Sequence, residues 1–341
     1  MVEFASIIAL QPGKQPFNKD GHDFHLSEKQ NYPPARRRGG KAGNTNQGGV
    51  RLDAVASISR TSGQNDDGDA LRNPGFQQKY ADSLAHKVAE FWQRFPPEAA
   101  ATAQTVALEQ NSLMIAFRKL REGVLASQRC DAFALHVYES SFLLACSFDA
   151  PQHATAALAH LTQTLWPAHP PSSSIVPLAG VLFTIVNLDQ PREATHRLRD
   201  FHQYLSSDDI RWTNTLARLK RSGNYTALCR HVDGEHLPGG VHGDVVGQLY
   251  GGANDIGRRT THALFDLLRA GTRGRTWDVL RIAYRDVAME ESRNWLLRSL
   301  GLAKEAGLDE WIENKVAKGE AQQTQVNGKP RLAFVKPPRT R

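Results

Sequence analysis

The residues best equipped for chemistry crowd into "CRHVDGEHLPGGVHGD", where Cys229, His231, Asp233, His236 and His242 fall within 14 positions. Thiolate, imidazole and carboxylate groups all ligate zinc. A helix-borne or knuckle site needs short, regular spacings, and this run has none, so it reads as a His-rich loop without a metal. The overlapping "GGVHGDVVGQLYGG" is rich in glycine but follows no strand and lacks a Gly-Lys-Ser/Thr ending, which argues against a phosphate-cradling loop. No Gly-x-Ser-x-Gly elbow is present. Tyr138 and Glu139 fall in mid-helix, with Tyr138 on an apolar stripe and Glu139 expected to pair with a nearby arginine. Asp208 and Asp209 read as a helix start, where acids meet the positive end of the dipole. Trp277, Trp295 and Trp311 lie on apolar stripes and read as core. With no catalytic, metal-binding or cofactor-binding residues to assign, the expectation is a protein that is not an enzyme.

The elements follow from periodicity. Tyr80, Leu84, Val88 and Phe91 repeat at helical spacing before Pro96 and Pro97 stop the run. Leu113, Phe117, Leu120 and Val124 line a second helix, and Leu135, Tyr138, Phe142 and Ala145 a third. Pro151 opens a fourth, with Ala154, Leu158, Leu161 and Leu165 on its stripe. "IVPLAGVLFTIVNL" is apolar on every face and, set in a helical series, reads as a buried helix. Further helices follow up to about Val232, and after the glycine-rich stretch Trp277, Leu280, Tyr284 and Val287 form another stripe. The chain then closes with two short amphipathic helices around a Gly-containing turn, a polar spacer and one strand. The resulting fold class is all-α: a helical-repeat arm of antiparallel helix pairs, then a C-terminal winged helix with a small β wing. The expected divisions are a disordered tail over 1–75, the arm over 76–255 and the winged helix over 256–338.

Composition narrows the partners. The chain has 341 residues, and 40% hydrophobic content suffices for a globular core. Its net charge of +7 favours anionic partners without selecting one. Three scattered cysteines suit neither a disulfide framework nor a Cys-based zinc site and point to an intracellular setting, cytoplasm or nucleus. No signal peptide is expected in "MVEFASIIALQPGK", and no stretch nears the ~20 apolar residues of a membrane span. From Lys315 to Arg341, seven cations face the single acid Glu320. Together with Arg36, Arg37 and Arg38, the tail residues Lys336, Arg339 and Arg341 are the candidate RNA contacts.

"AFRKLREGVLASQRCDAFALHVYESSFLLA", from Ala116 to Ala145, resembles the helical core of the PCI class. That class contains subunits of the proteasome lid, the signalosome and translation initiation factors. The resemblance leans toward its small subunits, such as the signalosome's eighth subunit and subunit k of initiation factor three. Arg118 and Arg121, then Phe133, then Val137, Tyr138 and Glu139, are similar to a pattern shared with mRNA-export scaffolds of the GANP type. "LARLKRSGNYTALCRHV", "RTWDVLRIAYRDVAMEESRNWLLRSLGL" and "LDEWIENKVAKG" resemble the later hairpin and the winged-helix half, so the likeness runs over roughly 75–338. The glycine-rich stretch 234–257 departs from the pattern, as do the long N-terminal tail and the basic ending. The resemblance implies a scaffold or adaptor subunit whose partners are other protein subunits, of PCI type or small and acidic. It also implies a wing strand that adds to a neighbour's sheet, with Arg331, Leu332, Phe334 and Lys336 as the candidate docking wing. Leu296 and Leu300 should pack on Leu308, Trp311 and Ile312, while Leu332 and Phe334 point inward. Asp309, Glu310 and Glu313 would repel phosphates, which argues against sequence-specific DNA reading. The alternative reading is an RNA-associated adaptor in mRNA processing or export.

Overall fold

The computed structural model describes residues 69–96, 102–187, 197–233, 256–302 and 305–336. All of them belong to one contiguous unit, Val50–Arg341. Arg36, Arg37, Arg38, His236, His242, Arg339 and Arg341 lie outside the described residues, as does most of the expected tail.

The described residues are mostly helical, with one small antiparallel sheet near the C-terminus. A single 3-10 turn (Asp69–Arg72) leads into α1 (Pro74–Arg94), which Asn73 caps by accepting from the Gly75 and Phe76 amides. Leu71 in that turn is fully buried, so the core starts a few residues before the expected boundary at 75. The helix α2 (Ala103–Ala126) packs on α1, and α3 (Ala132–Ser147) packs on α2. Next come α4 (Pro151–His160), which continues through a π turn (Leu161–Leu165), and α5 (Ile175–Asn187). The stripes expected on α1 to α4 are all buried, and α5 is the buried helix expected from its apolar run. A Ser206–Asp209 capping box starts α6 (Ser207–Arg221), and α7 (Tyr225–Val232) packs against it.

Glu139 departs from expectation. It is buried on α3, and among the described residues no arginine pairs with it. Its carboxylate accepts from the Ser172 amide at 3.1 Å, from the Ser172 hydroxyl, and from Trp166 Nε1 at 3.4 Å. Burial pushes its pKa up against the opposing pull of those hydrogen bonds. The side chain therefore staples the turn before α5 to the middle of α3, which is a structural task.

The longest helix, α8 (Ile256–Ala283), serves two cores. Its N-terminal part packs on α3 and α5, with Ile256, Leu264, Phe265 and Leu268 in the large helical core. Gly257 permits this approach: a Cβ there would lie 2.5 Å from Ile175 Cδ1. Thr260 donates to the Leu143 carbonyl at 3.0 Å, tying the same part to α3. Further along, Trp277 and Leu280 belong to a second core, built on α9 (Met289–Leu300), α10 (Glu305–Ala317) and the sheet. The expected boundary at 255/256 thus falls at the start of one continuous helix, and the change of core comes between Leu268 and Trp277.

Between these parts Gly271 and Gly274 have nothing within 4 Å of a built Cβ, and neither has a positive φ. Replacing a helical glycine with alanine at an open site restricts the unfolded chain at no steric cost. The double variant Gly271→Ala/Gly274→Ala should gain about 1–2 kcal/mol in urea unfolding. Phe265→Ala, by contrast, should lose about 3–5 kcal/mol. A stabilisation by the first variant that shows in only one of two separate transitions would mean the cores unfold independently.

Candidate docking surface

The last third of the chain builds a three-stranded antiparallel sheet on the C-terminal part of α8. Its strands are β1 (Asp286–Ala288), β2 (Ala321–Val326) and β3 (Lys329–Phe334), in the order β1-β3-β2. Helix α8 ends at Ala283, so Tyr284 and Val287 do not extend its stripe. Tyr284 is 44% exposed, and Val287 reaches the core from β1. Gly301, at φ +61°, closes α9 in the left-handed conformation that glycine tolerates best. Leu296 and Leu300 then meet Leu308, Ile312 and the half-buried Trp311, as expected. Trp277 is fully buried, but Trp295 is 38% exposed and stands edge-on to Tyr284 at 5.3 Å. The expectation that all three tryptophans are core therefore fails at Trp295.

β2 and β3 form a hairpin over Asn327 and Gly328, both at positive φ (54° and 76°), as a two-residue turn of the right twist requires. In register, Val326 faces Lys329, Gln323 faces Leu332 and Ala321 faces Phe334. Leu332, Phe334 and Ala321 share the core side with Val287. Phe334 meets the Trp277 ring edge-on at 5.3 Å, which seats the hairpin on α8.

Polar contacts hold the hairpin at its base. Arg281 Nε donates to the Val335 carbonyl at 2.6 Å, and Lys315 Nζ to Glu320 Oε2 at 2.8 Å, with Arg281 Nη1 also 3.8 Å from that carboxylate. The Lys315 ammonium lies 4.9 Å from the Trp311 ring centre and 5.7 Å from that of Trp277. Burial tends to raise the Glu320 pKa, but the Lys315 hydrogen bond and the charges of Lys315 and Arg281 outweigh it and hold the carboxyl below its ordinary value. On the outer side Arg331 Nε donates to Asp286 Oδ1 at 2.6 Å, and Lys329 pairs with Glu291 at 3.5 Å.

This topology corrects one expectation about the wing. β3 is the central strand, with β1 on one side and β2 on the other, so it has no free edge for a neighbour's strand. Leu332 and Phe334 are spent on the core, Arg331 is ion-paired, and only Lys336 of the four expected docking residues is exposed. The open edge belongs instead to β2, in the segment that reads as a polar spacer. Antiparallel pairs alternate between hydrogen-bonded and non-hydrogen-bonded positions. The turn-flanking pair Val326–Lys329 and the Val335 amide bond to the Glu320 carbonyl at 3.0 Å fix the phase. Gln322, Thr324 and Val326 therefore bond inward to β3. The N–H and C=O groups of Ala321, Gln323 and Gln325 point away from it, and among the described residues no strand meets them. Pro330 sits opposite Gln325, at a position where β2 needs no donor. The Asn-Gly pair was the signal in the sequence that marks this hairpin.

Among the described residues no group of three His, Cys, Asp or Glu side chains is placed to hold a metal ion, and no helix is long and apolar enough to cross a membrane. Within the former metal-like run, Cys229 is buried against Thr272 and His231 Nε2 is hydrogen-bonded to the Trp212 carbonyl at 3.1 Å. No protein-family model matches the chain, and no curated protein matches it.

Because the folded Glu320 pKa lies below its unfolded value, its contribution is present above about pH 4.3 and is lost as the pH falls through the lower folded value. Glu320→Gln should cost up to about 1 kcal/mol in urea unfolding at pH 7, in the range of part-exposed ion pairs. At pH 2.5 the variant and the parent should converge. A difference that persists undiminished at that pH would show that the carboxylate's charge is not what holds the hairpin base.

Proposed function

We propose that this chain is a non-enzymatic scaffold or adaptor subunit that docks a protein partner along the outer edge of β2. In this reading α1 to α8 form a helical-repeat arm, and α9, α10 and the sheet form a winged helix of PCI type, its β2–β3 hairpin being the wing. The observation that carries the proposal is the composition of that edge. β2 reads Ala-Gln-Gln-Thr-Gln-Val, with five of its six side chains exposed. Edge strands that must stay unpaired are commonly blunted by lysine, proline or a bulge, and this one has none of them between Ala321 and Val326. The outward donors and acceptors of the exposed Gln323 and Gln325 suit the addition of one short extended segment, whose main chain would supply the affinity.

The RNA-adaptor reading ranks second. Of the cations between Lys315 and Lys336, Lys315, Lys329 and Arg331 are engaged with Glu320, Glu291 and Asp286, leaving less charge for phosphates than the sequence suggests.

The test uses backbone chemistry. Gln323→Pro/Gln325→Pro removes two outward N–H donors and leaves the ladder to β3 intact, whereas Thr324→Pro removes a ladder donor. The double variant should keep the circular dichroism of the parent and lose at least ten-fold in affinity for the main co-purifying protein. Thr324→Pro should disturb the hairpin itself. If the double variant keeps both its fold and its partner, the β2 edge is not the docking surface.

A further inference from the structure

The C-terminal half of α8 carries one face that no described residue covers. Starting at Gly257, alternate steps of four and three residues run through Thr261, Leu264, Leu268, Gly271, Arg275 and Asp278 to Ile282. That alternation keeps all of these positions on one stripe of the helix. The first four are buried against the large core, and the last four are exposed. Trp277 and Leu280, which hold the second core, lie on the other side of the helix. The stripe therefore runs on past the helical layer with nothing over it among the described residues.

Its residues are not those of a plain solvated face, which would be polar throughout. Ile282 is 64% exposed, and Val279 on its flank is 55% exposed. Gly271 and Gly274 leave the helix backbone bare, with open space over both. Arg275 and Asp278 set an exposed cation and an exposed anion one turn apart. Asp278 keeps 62% of its side chain exposed, and its pair with Arg281 on the same helix is long, at 3.7 Å. The order of these residues is its own complement. Turn the helix end for end about a two-fold axis at the level between Thr276 and Trp277. Ile282 then comes opposite Gly271, and Asp278 opposite Arg275. Each pairing occurs twice, as a two-fold contact demands. A large side chain meets a bare backbone position, the knob-into-hole fit of paired helices, and each cation meets an anion. Val279 meets Val279 of the second copy on one flank, while Gly274 keeps the other flank open. A slip of one turn in either direction sets Arg275 against Arg275, or Asp278 against Asp278. Like charges thus reject the neighbouring registers.

We propose that this face of α8 is a self-association surface, on which a second copy of the chain packs its own α8 antiparallel across a two-fold axis. The contact covers about three helical turns, so the dimer is weak and exchanges with the monomer. The surface is independent of the β2 edge.

The experiment is sedimentation velocity on the full-length chain across the micromolar range, with two charge-reversal variants. The parent should pass reversibly from the mass of one chain to that of two as its concentration rises. Arg275→Glu leaves two acids on the stripe of each copy, and Asp278→Arg leaves two cations. Each variant alone should therefore lose at least ten-fold in self-affinity while keeping the circular dichroism of the parent. Mixed together, the two variants place acid opposite cation at both positions and should associate about as well as the parent. That recovery also excludes misfolding as the cause of the single losses. A parent that stays monomeric over the whole range would overturn the proposal. So would a dimer that either variant forms unchanged, or one that mixing fails to restore.

Discussion

One helix shared by two hydrophobic cores is the constraint on which the rest of the structure depends. The face of α8 that carries Leu264, Phe265 and Leu268 is committed to the large helical core, while Trp277 and Leu280 are committed to the small one that supports the sheet. A helix of 28 residues is about 42 Å long at 1.5 Å per residue. It can belong to both cores only if its register is right in each. The close approach at Gly257 and the Thr260 bond to α3 set it in the first. The edge-on contact of Trp277 with Phe334 and the Arg281 bond to the Val335 carbonyl set it in the second. The position of the hairpin is thereby tied to the helical layer through covalent structure rather than through a flexible linker.

The hairpin itself is held from below and left open at the side. Its core-facing residues are large and buried, and its base is gripped by Lys315, Arg281 and Glu320, where charge and aromatic faces reinforce one another. The outer edge is short, uncharged and exposed from Gln322 to Val326. Holding the base of a strand while leaving its polar main-chain groups facing water presents a template at fixed orientation, which lowers the ordering cost for whatever pairs with it.

The helices were legible in the sequence because their apolar stripes repeat over several turns, and α1 to α5 bury the residues that the spacing marks. The sheet was legible only in β3, whose Leu332 and Phe334 alternate. β2 has a single buried side chain, Ala321, so no alternation betrays it and it passes for a spacer. β1 has three residues and is separated from the end of α8 by two residues, with Val287 falling by chance at helical spacing from Trp277 and Leu280. Missing those two strands made β3 look like an edge when it is the centre. The contacts of Glu139 are hidden from the sequence for a related reason. Its partners, Trp166 and Ser172, come from a turn about 30 residues away, and sequence spacing carries no trace of them.

The most direct measurement is residue-resolved amide hydrogen exchange on the chain alone and in complex with the protein it co-purifies with. In the free chain the amides of Gln322, Thr324 and Val326 should be protected by β3, and those of the exposed Gln323 and Gln325 should exchange rapidly. On binding, the second set should gain protection while the first changes little. Protection that appears elsewhere on the chain, with Gln323 and Gln325 still exchanging as in the free protein, would contradict docking at the β2 edge.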